Sequence, residues 1–392
     1  MQRRPPRMRA QHAVGVLPQI ADRVEVAPLK GVVVRSVGGE DREPIGLGQE
    51  LGGVAHLVRS VRAELRIVWF SLRHEPTIAH PAGRAVRSVV VPDFPDTPLA
   101  TLPFDEIMRR FESTGGVQVA TYDWGGDGPP LVFAHATGLH AHVWVPLAQR
   151  LRSSFHCYAV DLRAQGETGA GNPPTLDWET GALDFVAALD GLGLSGRGDV
   201  YGVGHSLGGY SIYQGELRRP GTFRHLFGFE PVTFPASEGG LSAMTEGDDI
   251  MAHLARKRRE VFPSRTAAYD NYRSKPPFSL IDDDALRSYV QWGFDDLDDG
   301  TVRLKCRTEN EAGIFSNSFT DTMERLPQIG CEVTLGLAEL TNPGFLMAVP
   351  LQAERLRHAT LLHFPGRTHF GILERIDEMA AVLRDTFFVK GG

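Results

Sequence analysis

Residues 200–211 read VYGVGHSLGGYS, and they join an apolar strand pattern to a serine flanked by glycines and then to a helical pattern. Gly204, Ser206 and Gly208 form a Gly-x-Ser-x-Gly turn. In a tight strand-to-helix turn the glycines avoid Cβ clashes, and the backbone N–H groups at the helix start favour developing negative charge. The pattern predicts Ser206 as a nucleophile, although the five residues alone also fit a simple packing contact between strand and helix.

Around this turn the chain alternates short strand patterns with amphipathic helical patterns from about residue 116 onward. The strand patterns are rich in β-branched and aromatic residues and read VQVATYDWG, PLVFAHA, FHCYAVDLR, GDVYGVGHS, HLFGFEPVT, CEVTLGLAE and ATLLHFPG. Helical patterns lie between most of them, as at 176–194 and 208–220. The alternation predicts an α/β fold with a mostly parallel, doubly wound sheet whose ligands bind at the carboxyl ends of the strands. Ser206 lies at such an end.

Four motifs occur in a fixed order along this part of the chain. They are His135-Ala136-Thr137-Gly138, the segment DLRAQGET at 161–168, the serine turn at 204–208 and the segment GRTHFG at 366–371. Together they resemble the α/β-hydrolase fold superfamily, in its capped bacterial serine hydrolases, over roughly residues 112–392. Ala136 and Ala164 stand where the family has glycine, but neither change removes a backbone N–H.

The resemblance implies a catalytic triad in the order serine, acid, histidine. A serine hydroxyl needs an imidazole to take its proton, and the imidazole needs an acid that holds its tautomer and stabilises the imidazolium. His369 follows the last strand pattern and is the expected base. The amides of Leu207 and Ala136 are the expected oxyanion donors.

Two glutamates compete for the acid position. Glu339 follows the strand CEVTLGLA with a spacing similar to the family's G-x-x-D signature, and one helix and one strand fit between it and His369. Glu230 ends the strand HLFGFE, the other place from which family members supply the acid. We prefer Glu339 and keep Glu230 as the alternative. Asp161 ranks below both because its loop has a structural role in the family.

Three further histidines lie in or near these motifs. His205 occupies the variable position of the serine turn and is expected to point away from the serine. His140 and His142 precede a helical pattern and are expected to line the pocket entrance. As a metal pair they lack a nearby cysteine or carboxylate that would complete a ligand set. The sequence therefore predicts neither a metal site nor a cofactor.

About a hundred residues between the strand ending near Val232 and the strand starting at Cys331 show no further strand pattern. Helical spacing of apolar residues occurs at 246–262, 264–273, 282–294 and 309–316. We expect a helical cap over 234–326, inserted into a hydrolase core that consists of 108–233 and 327–392. A lid of this kind excludes water and shapes the substrate pocket.

Residues 1–107 do not fit this pattern. They contain no Asn, Tyr or Cys, and their basic residues are thirteen Arg and Lys30. Such a composition is expected of translated sequence upstream of a true start in a GC-rich genome, and Met108 lies where hydrolases of this kind begin. The alternating pieces LKGVVVRSV and RAVRSVVVP leave a small extra domain open as the alternative. The first interpretation predicts that a chain beginning at Met108 is as stable and active as the full chain.

Length and composition agree with an enzyme of this class. The 392 residues are 42% hydrophobic and carry a net charge of −7, which allows a large core and disfavours nonspecific binding to nucleic acid or anionic membranes. The basic run Arg256-Lys257-Arg258-Arg259 is therefore interpreted as a solvated helix face. No apolar run has the length of a membrane span. Three widely spaced cysteines are expected to be reduced, as in a cytoplasmic protein.

The sequence thus predicts a serine hydrolase that acts on a small-molecule ester, thioester, lactone or related acyl compound through an acyl-enzyme. A C–C bond hydrolase with the same serine is one alternative. A non-catalytic binding protein on the same fold is another. Epoxide hydrolases and haloalkane dehalogenases are disfavoured because they place Asp where this chain has Ser206.

Overall fold

The centre of the protein is one large β-sheet, and a second, small sheet lies in the segment before the last two core strands. The computed structural model describes residues 33–36, 102–235, 250–317 and 321–388. In chain order the strands of this part are β1 (Val33–Ser36), β2 (Ile107–Glu112), β3 (Gln118–Asp123), β4 (Pro130–Ala134), β5 (His156–Val160), β6 (Val200–His205), β7 (Phe223–Phe229), β8 (Val261–Phe262), β9 (Phe294–Asp296), β10 (Val302–Leu304), β11 (Glu332–Leu340) and β12 (Ala359–Thr368).

The large sheet has the strand order β1-β12-β11-β7-β6-β4-β5-β3-β2. Along this order every pair of neighbours from β1 to β5 is parallel, and β3 pairs antiparallel with both of its neighbours, β5 and β2. Every residue of β4 and β6 is buried because helices cover both faces of the sheet, which explains their unbroken apolar sequence. The predicted α/β fold with a mostly parallel, doubly wound sheet is confirmed.

Helices follow most of the strands. The described part of the chain contains α1 (Val145–Leu151), α2 (Trp178–Gly191), α3 (Leu207–Arg218), α4 (Arg265–Arg273), α5 (Asp283–Trp292), α6 (Thr308–Ser316), α7 (Thr322–Arg325), α8 (Pro343–Arg355) and α9 (Ile376–Phe388), together with a helical segment at 250–256. The side chains of Asp177 and Asn342 accept hydrogen bonds from the first turns of α2 and α8. None of these helices has the length and apolar character of a membrane span.

Residues 250–326, here called the insert, lie between β7 and β11. The helices predicted at 264–273, 282–294 and 309–316 are present as α4, α5 and α6. The predicted helix at 246–262 is wrong at its end, because Val261–Phe262 is a strand of a small antiparallel sheet with the order β8-β10-β9. These strands have two or three residues each, too few for a period-2 pattern to be recognised. The start of the predicted cap, 236–249, lies outside the described residues.

Most of the segment 1–107 also lies outside the described residues, but two pieces of it do not. The backbone of β1 pairs in parallel with β12, and Val33 is in register with Thr360. Near the other end, the ring of Phe104 contacts the ring of Trp124 at a centroid distance of 5.8 Å. The packed part of the chain therefore begins earlier than the predicted boundary at 107.

Glu106 attaches this segment to the core. Its Oε2 accepts hydrogen bonds from Trp124 Nε1 at 2.8 Å and from His142 Nε2 at 2.9 Å. Both donors belong to buried residues. Burial opposes the charge of Glu106, but the hydrogen bond and charge of His142 and the hydrogen bond of Trp124 outweigh it and lower the pKa of the carboxyl.

A chain that begins at Met108 is therefore expected to be less stable than one that begins at Leu102, contrary to the expectation from sequence. Leaving two buried donors without an acceptor costs about 1–3 kcal/mol for each. Thermal unfolding at neutral pH should show a melting temperature lower by several degrees for the shorter chain.

Glu106→Ala in the full chain is the matched control, because it removes the carboxylate and keeps the backbone. Since the pKa of Glu106 is lowered in the folded state, its contribution is present above the ordinary value of 4.5 and is lost as the pH falls through the folded pKa. Equal melting temperatures for the Met108 and Leu102 chains would show that these contacts contribute nothing.

Candidate active site

Ser206 stands between β6 and α3 in a strained backbone conformation, with φ 55° and ψ −113°. A positive φ is uncommon for a residue with a Cβ and persists only where the surroundings hold it. Here the Ser206 N–H donates to the Phe229 carbonyl at 3.0 Å, and the Val232 N–H donates to the Ser206 carbonyl at 3.2 Å. The turn is thus held by the end of the neighbouring strand β7.

The first turn of α3 lies directly against the loop that follows β4. A Cβ on Gly208 would lie 2.0 Å from the carbonyl oxygen of Ala134 and 2.8 Å from that of His135, so only glycine fits there. This close approach brings together the two segments that carry Leu207 and Ala136, the predicted oxyanion donors.

The loop after β4 is fixed by a buried neutral histidine. His135 Nε2 accepts a hydrogen bond from the Leu162 N–H at 3.0 Å, so Nδ1 carries the proton and donates to the Ala136 carbonyl at 2.8 Å. Burial lowers the pKa of His135, which keeps the ring in this uncharged form. The carbonyl of Ala136 is therefore held in place, and its amide belongs to a fixed loop.

His369 pairs with Glu230. The His369 Nδ1 atom lies 2.6 Å from Glu230 Oε2, so the carboxylate accepts a hydrogen bond from Nδ1–H and leaves Nε2 as the basic nitrogen. Glu230 follows β7 with a positive φ of 45° and is fully buried. Its carboxylate also accepts hydrogen bonds from the Ala338 N–H at 2.8 Å and the Thr341 hydroxyl at 2.7 Å, which compensate for its burial.

The structure does not bring Glu339 to His369, so the preference for Glu339 over Glu230 is corrected. Glu339 is exposed, and its Oε2 accepts a hydrogen bond from the Gly366 N–H at 2.7 Å. The physical reason is that β11 continues to Leu340, with a register shift after Ala338, so Glu339 lies within the strand rather than in the loop beyond it.

Three neighbours hold the loop that carries His369. His205 Nε2 donates to the His369 carbonyl at 2.8 Å, and Phe345 stacks on the His369 ring with centroids 4.5 Å apart and planes 15° apart. The Thr368 N–H donates to Glu374 Oε1 at 3.0 Å. Burial lowers the pKa of His205 well below its ordinary value, so this ring stays neutral. Sequence reasoning missed the role of His205 as a support for the His369 loop.

His140 and His142 are buried rather than placed at a pocket entrance, which corrects that expectation. His140 Nε2 donates to the Tyr289 carbonyl at 3.0 Å, and burial lowers the pKa of His140 well below its ordinary value. The His142 ring stacks on Trp292 at 4.8 Å and hydrogen bonds to Glu106. Both histidines join the loop after β4 to the insert. Among the described residues no group of three or more His, Cys, Asp or Glu side chains is placed to hold a metal ion.

Asp161 has the structural role that the sequence suggested. Its Oδ1 accepts a hydrogen bond from the Ala141 N–H at 2.7 Å, and its Oδ2 accepts from the Tyr122 hydroxyl at 2.7 Å and the Glu167 N–H at 2.7 Å. The carboxylate thus joins β3 and the segment at Ala141 to its own loop.

A model described as the alpha/beta hydrolase family matches residues 131–382. The chain belongs to the alpha/beta hydrolase family. A methylesterase and a deformylase are among the curated proteins that it resembles.

Each curated relative matches this chain over only part of both sequences. Protein phosphatase methylesterase 1 of Homo sapiens is 33% identical over 98 residues, which are 24% of this chain and 25% of that protein. N-formylmaleamate deformylase of Pseudomonas putida is 30% identical over 126 residues, which are 31% of this chain and 45% of that protein. The chain thus matches less than half the length of these curated relatives.

Two solved structures show the same fold. E-2-(acetamidomethylene)succinate hydrolase superposes with a TM-score of 0.60 at 20% identity and covers 72% of this chain and 99% of its own. A thermophilic esterase from Thermogutta terrifontis superposes with a TM-score of 0.53 at 17% identity and covers 72% of this chain and 98% of its own. At these identities the likeness concerns the fold alone.

Proposed function

We propose that the protein is a serine hydrolase that cleaves an ester or related acyl compound through an acyl-enzyme intermediate. The observation that carries this proposal is the 2.6 Å hydrogen bond between His369 Nδ1 and Glu230 Oε2 beside the serine turn. His205, the residue before Ser206, contacts the His369 carbonyl, so the base and the nucleophile turn are neighbours. A nucleophile, a base and an acid that orients the base are the parts such chemistry needs.

In the first half of the reaction, the Ser206 hydroxyl attacks the substrate carbonyl carbon and His369 Nε2 takes its proton. Glu230 stabilises the imidazolium through the Nδ1–H bond. The amides of Leu207 and Ala136 donate to the oxyanion, each contributing about 3 kcal/mol to transition-state stabilisation. His369 then donates the proton to the leaving group, and the acyl group stays on Ser206.

In the second half, water attacks the acyl carbon while His369 takes a proton from the water. His369 then donates this proton to Ser206 Oγ as the bond to the acyl group breaks and the acid product leaves. We assign the insert the role of a lid over this site, because Tyr289 of α5 contacts His140 in the loop after β4. A lid that excludes bulk water strengthens the electrostatic interactions inside the site. The free cysteines Cys157, Cys306 and Cys331 support a cytoplasmic location.

Labelling with a fluorophosphonate, followed by mapping of the modified peptide, tests this function. We expect one label on Ser206 and hydrolysis of at least one compound in a panel of small esters, thioesters and lactones. The panel should include a methyl ester and an N-formyl compound, since the relatives are named a methylesterase and a deformylase.

The alternatives give different results in the same experiment. A non-catalytic binding protein would give neither label nor turnover. Cleavage of C–C bonds in dicarbonyl compounds without any ester turnover would support the C–C bond hydrolase instead. A label on another residue with full activity would contradict the assignment of Ser206.

A further inference from the structure

The insert contains a largely buried ion pair that the proposed chemistry does not use. Arg258 Nη1 contacts Glu311 Oε2, and the two side chains are 20% and 7% exposed. The interpretation of residues 256–259 as a solvated helix face is therefore wrong for Arg258. Arg256 is exposed, as that interpretation expects, and pairs with Glu309 at the surface. A buried ion pair contributes little net stability, so its position suggests a role in specifying geometry.

Two tyrosines extend this pair across the insert. Arg258 Nη2 donates to the hydroxyl of Tyr289 at 2.6 Å and to the hydroxyl of Tyr272 at 3.2 Å. These tyrosines belong to α5 and α4, and Glu311 belongs to α6. One guanidinium thus connects three helices of the insert.

The ion pair lies directly on Gly138, two residues after the oxyanion donor Ala136. A Cβ on Gly138 would lie 2.5 Å from Glu311 Oε1 and 3.0 Å from Arg258 Nη1, and the residue has a φ of 80°. Only glycine allows both this conformation and this close approach. The α-carbon of Gly138 is therefore in contact with the charged groups of the insert.

The backbone groups of Gly138 are fixed as well. Its N–H donates to Gln165 Oε1 at 2.6 Å, and its carbonyl accepts a hydrogen bond from the Tyr289 hydroxyl at 3.4 Å. The Leu139 N–H donates to the Ala136 carbonyl at 3.1 Å, which closes a turn around Gly138. A displacement of Gly138 would therefore be transmitted to Ala136.

We propose that the Arg258–Glu311 pair positions the oxyanion loop, so that the insert helps to build the oxyanion hole. This inference rests on the serine hydrolase function proposed above. Arg258 and Glu311 are positioning residues, since they act through Gly138 and not on the reacting atoms. Because oxyanion donors act on the transition state, loss of the pair should lower kcat and leave KM nearly unchanged.

The test compares Glu311→Gln, Arg258→Met and the double variant with the full wild-type chain. Each single change leaves one buried charge without its partner, so both single variants should lose thermal stability. The double variant removes both charges and should regain most of that stability. Its kcat should nevertheless stay about 10- to 100-fold below wild type, because removing one oxyanion donor costs about 10²–10³-fold and a misplaced donor costs less.

Arg256→Met and Glu309→Gln provide the matched control. They make the same changes in a pair on the same two segments, but that pair is exposed and does not touch Gly138. We expect wild-type kcat, KM and melting temperature for both, since surface ion pairs contribute little. Recovery of both stability and kcat in the double variant would show that the pair has only a structural role and would overturn the inference.

If the double variant does not fold, the Tyr289→Phe variant tests the inference instead. It removes only the hydroxyl between Arg258 and the Gly138 carbonyl, and kcat should fall about 2- to 10-fold at unchanged KM, the worth of one hydrogen bond. An unchanged kcat would refute the inference. A wild-type protein that neither reacts with fluorophosphonate nor hydrolyses the panel would instead refute the proposed function, and the inference with it.

Discussion

Ser206→Ala is expected to lower kcat by at least about 10³-fold and to abolish fluorophosphonate labelling, because it removes the attacking oxygen. The substitution keeps the Cβ, and both hydrogen bonds that hold the turn use the backbone of residue 206. We therefore expect a melting temperature within a few degrees of wild type. Steady-state kinetics, labelling and thermal unfolding of the same preparation provide the three measurements.

Ser211→Ala is the matched control for this change. Ser211 lies on the same helix α3, is buried, and donates its hydroxyl hydrogen to the Leu207 carbonyl at 2.9 Å. Loss of that hydroxyl should leave labelling intact and kcat within about 3-fold of wild type, since a bond of this kind contributes only about 1 kcal/mol. Full activity of Ser206→Ala would rule out the acyl-enzyme route.

Glu230→Gln is expected to lower kcat by about 10³- to 10⁴-fold, by analogy with the loss when a triad acid is neutralised. A glutamine can present its NH₂ group to His369 Nδ1, which favours the tautomer with the proton on Nε2 and removes the basic nitrogen from the serine. The neutral amide also no longer stabilises the imidazolium. The melting temperature should fall moderately, because the carboxylate accepts hydrogen bonds from Ala338 and Thr341 as well.

Glu339→Gln serves as the comparison, since the two changes are chemically identical. Glu339 is exposed and contacts the Gly366 N–H rather than His369, so kcat should stay within about 2-fold of wild type. A larger loss for Glu339→Gln than for Glu230→Gln would move the acid to the position first preferred from the sequence. Small losses in both would exclude both glutamates from the triad.

Most of the fold and site features that could be predicted from the sequence rest on short local motifs. The serine turn needs glycine at Gly208 because a carbonyl lies 2.0 Å from its missing Cβ, so the turn appears in the sequence as a fixed pattern. His369 could be predicted for the same reason, since it follows the last strand in a short recognisable segment. The helices α4, α5 and α6 follow from apolar spacing within ten or so residues.

The errors concern partners that are distant in sequence. The choice between Glu230 and Glu339 depends on where β11 ends, and two extra residues of strand, Glu339 and Leu340, place Glu339 outside the loop. Glu106 is 36 residues from His142, and Arg258 is 53 residues from Glu311. The residues next to a charge run or a histidine pair do not indicate such a distant partner. The adjacent sequence therefore predicts only a solvated helix face for the charge run and a pocket entrance for the histidines.

The pairing of β1 with β12 has a consequence for self-association. Without β1, residues 360–363 of β12 would present unpaired N–H and C=O groups along the border of the sheet, a template onto which a strand of another molecule can add. Natural proteins protect such borders by covering, charging or shortening them. In the described part of the chain, four residues from its first tenth thus cover the border of the strand that leads to His369 and replace it with a very short edge strand.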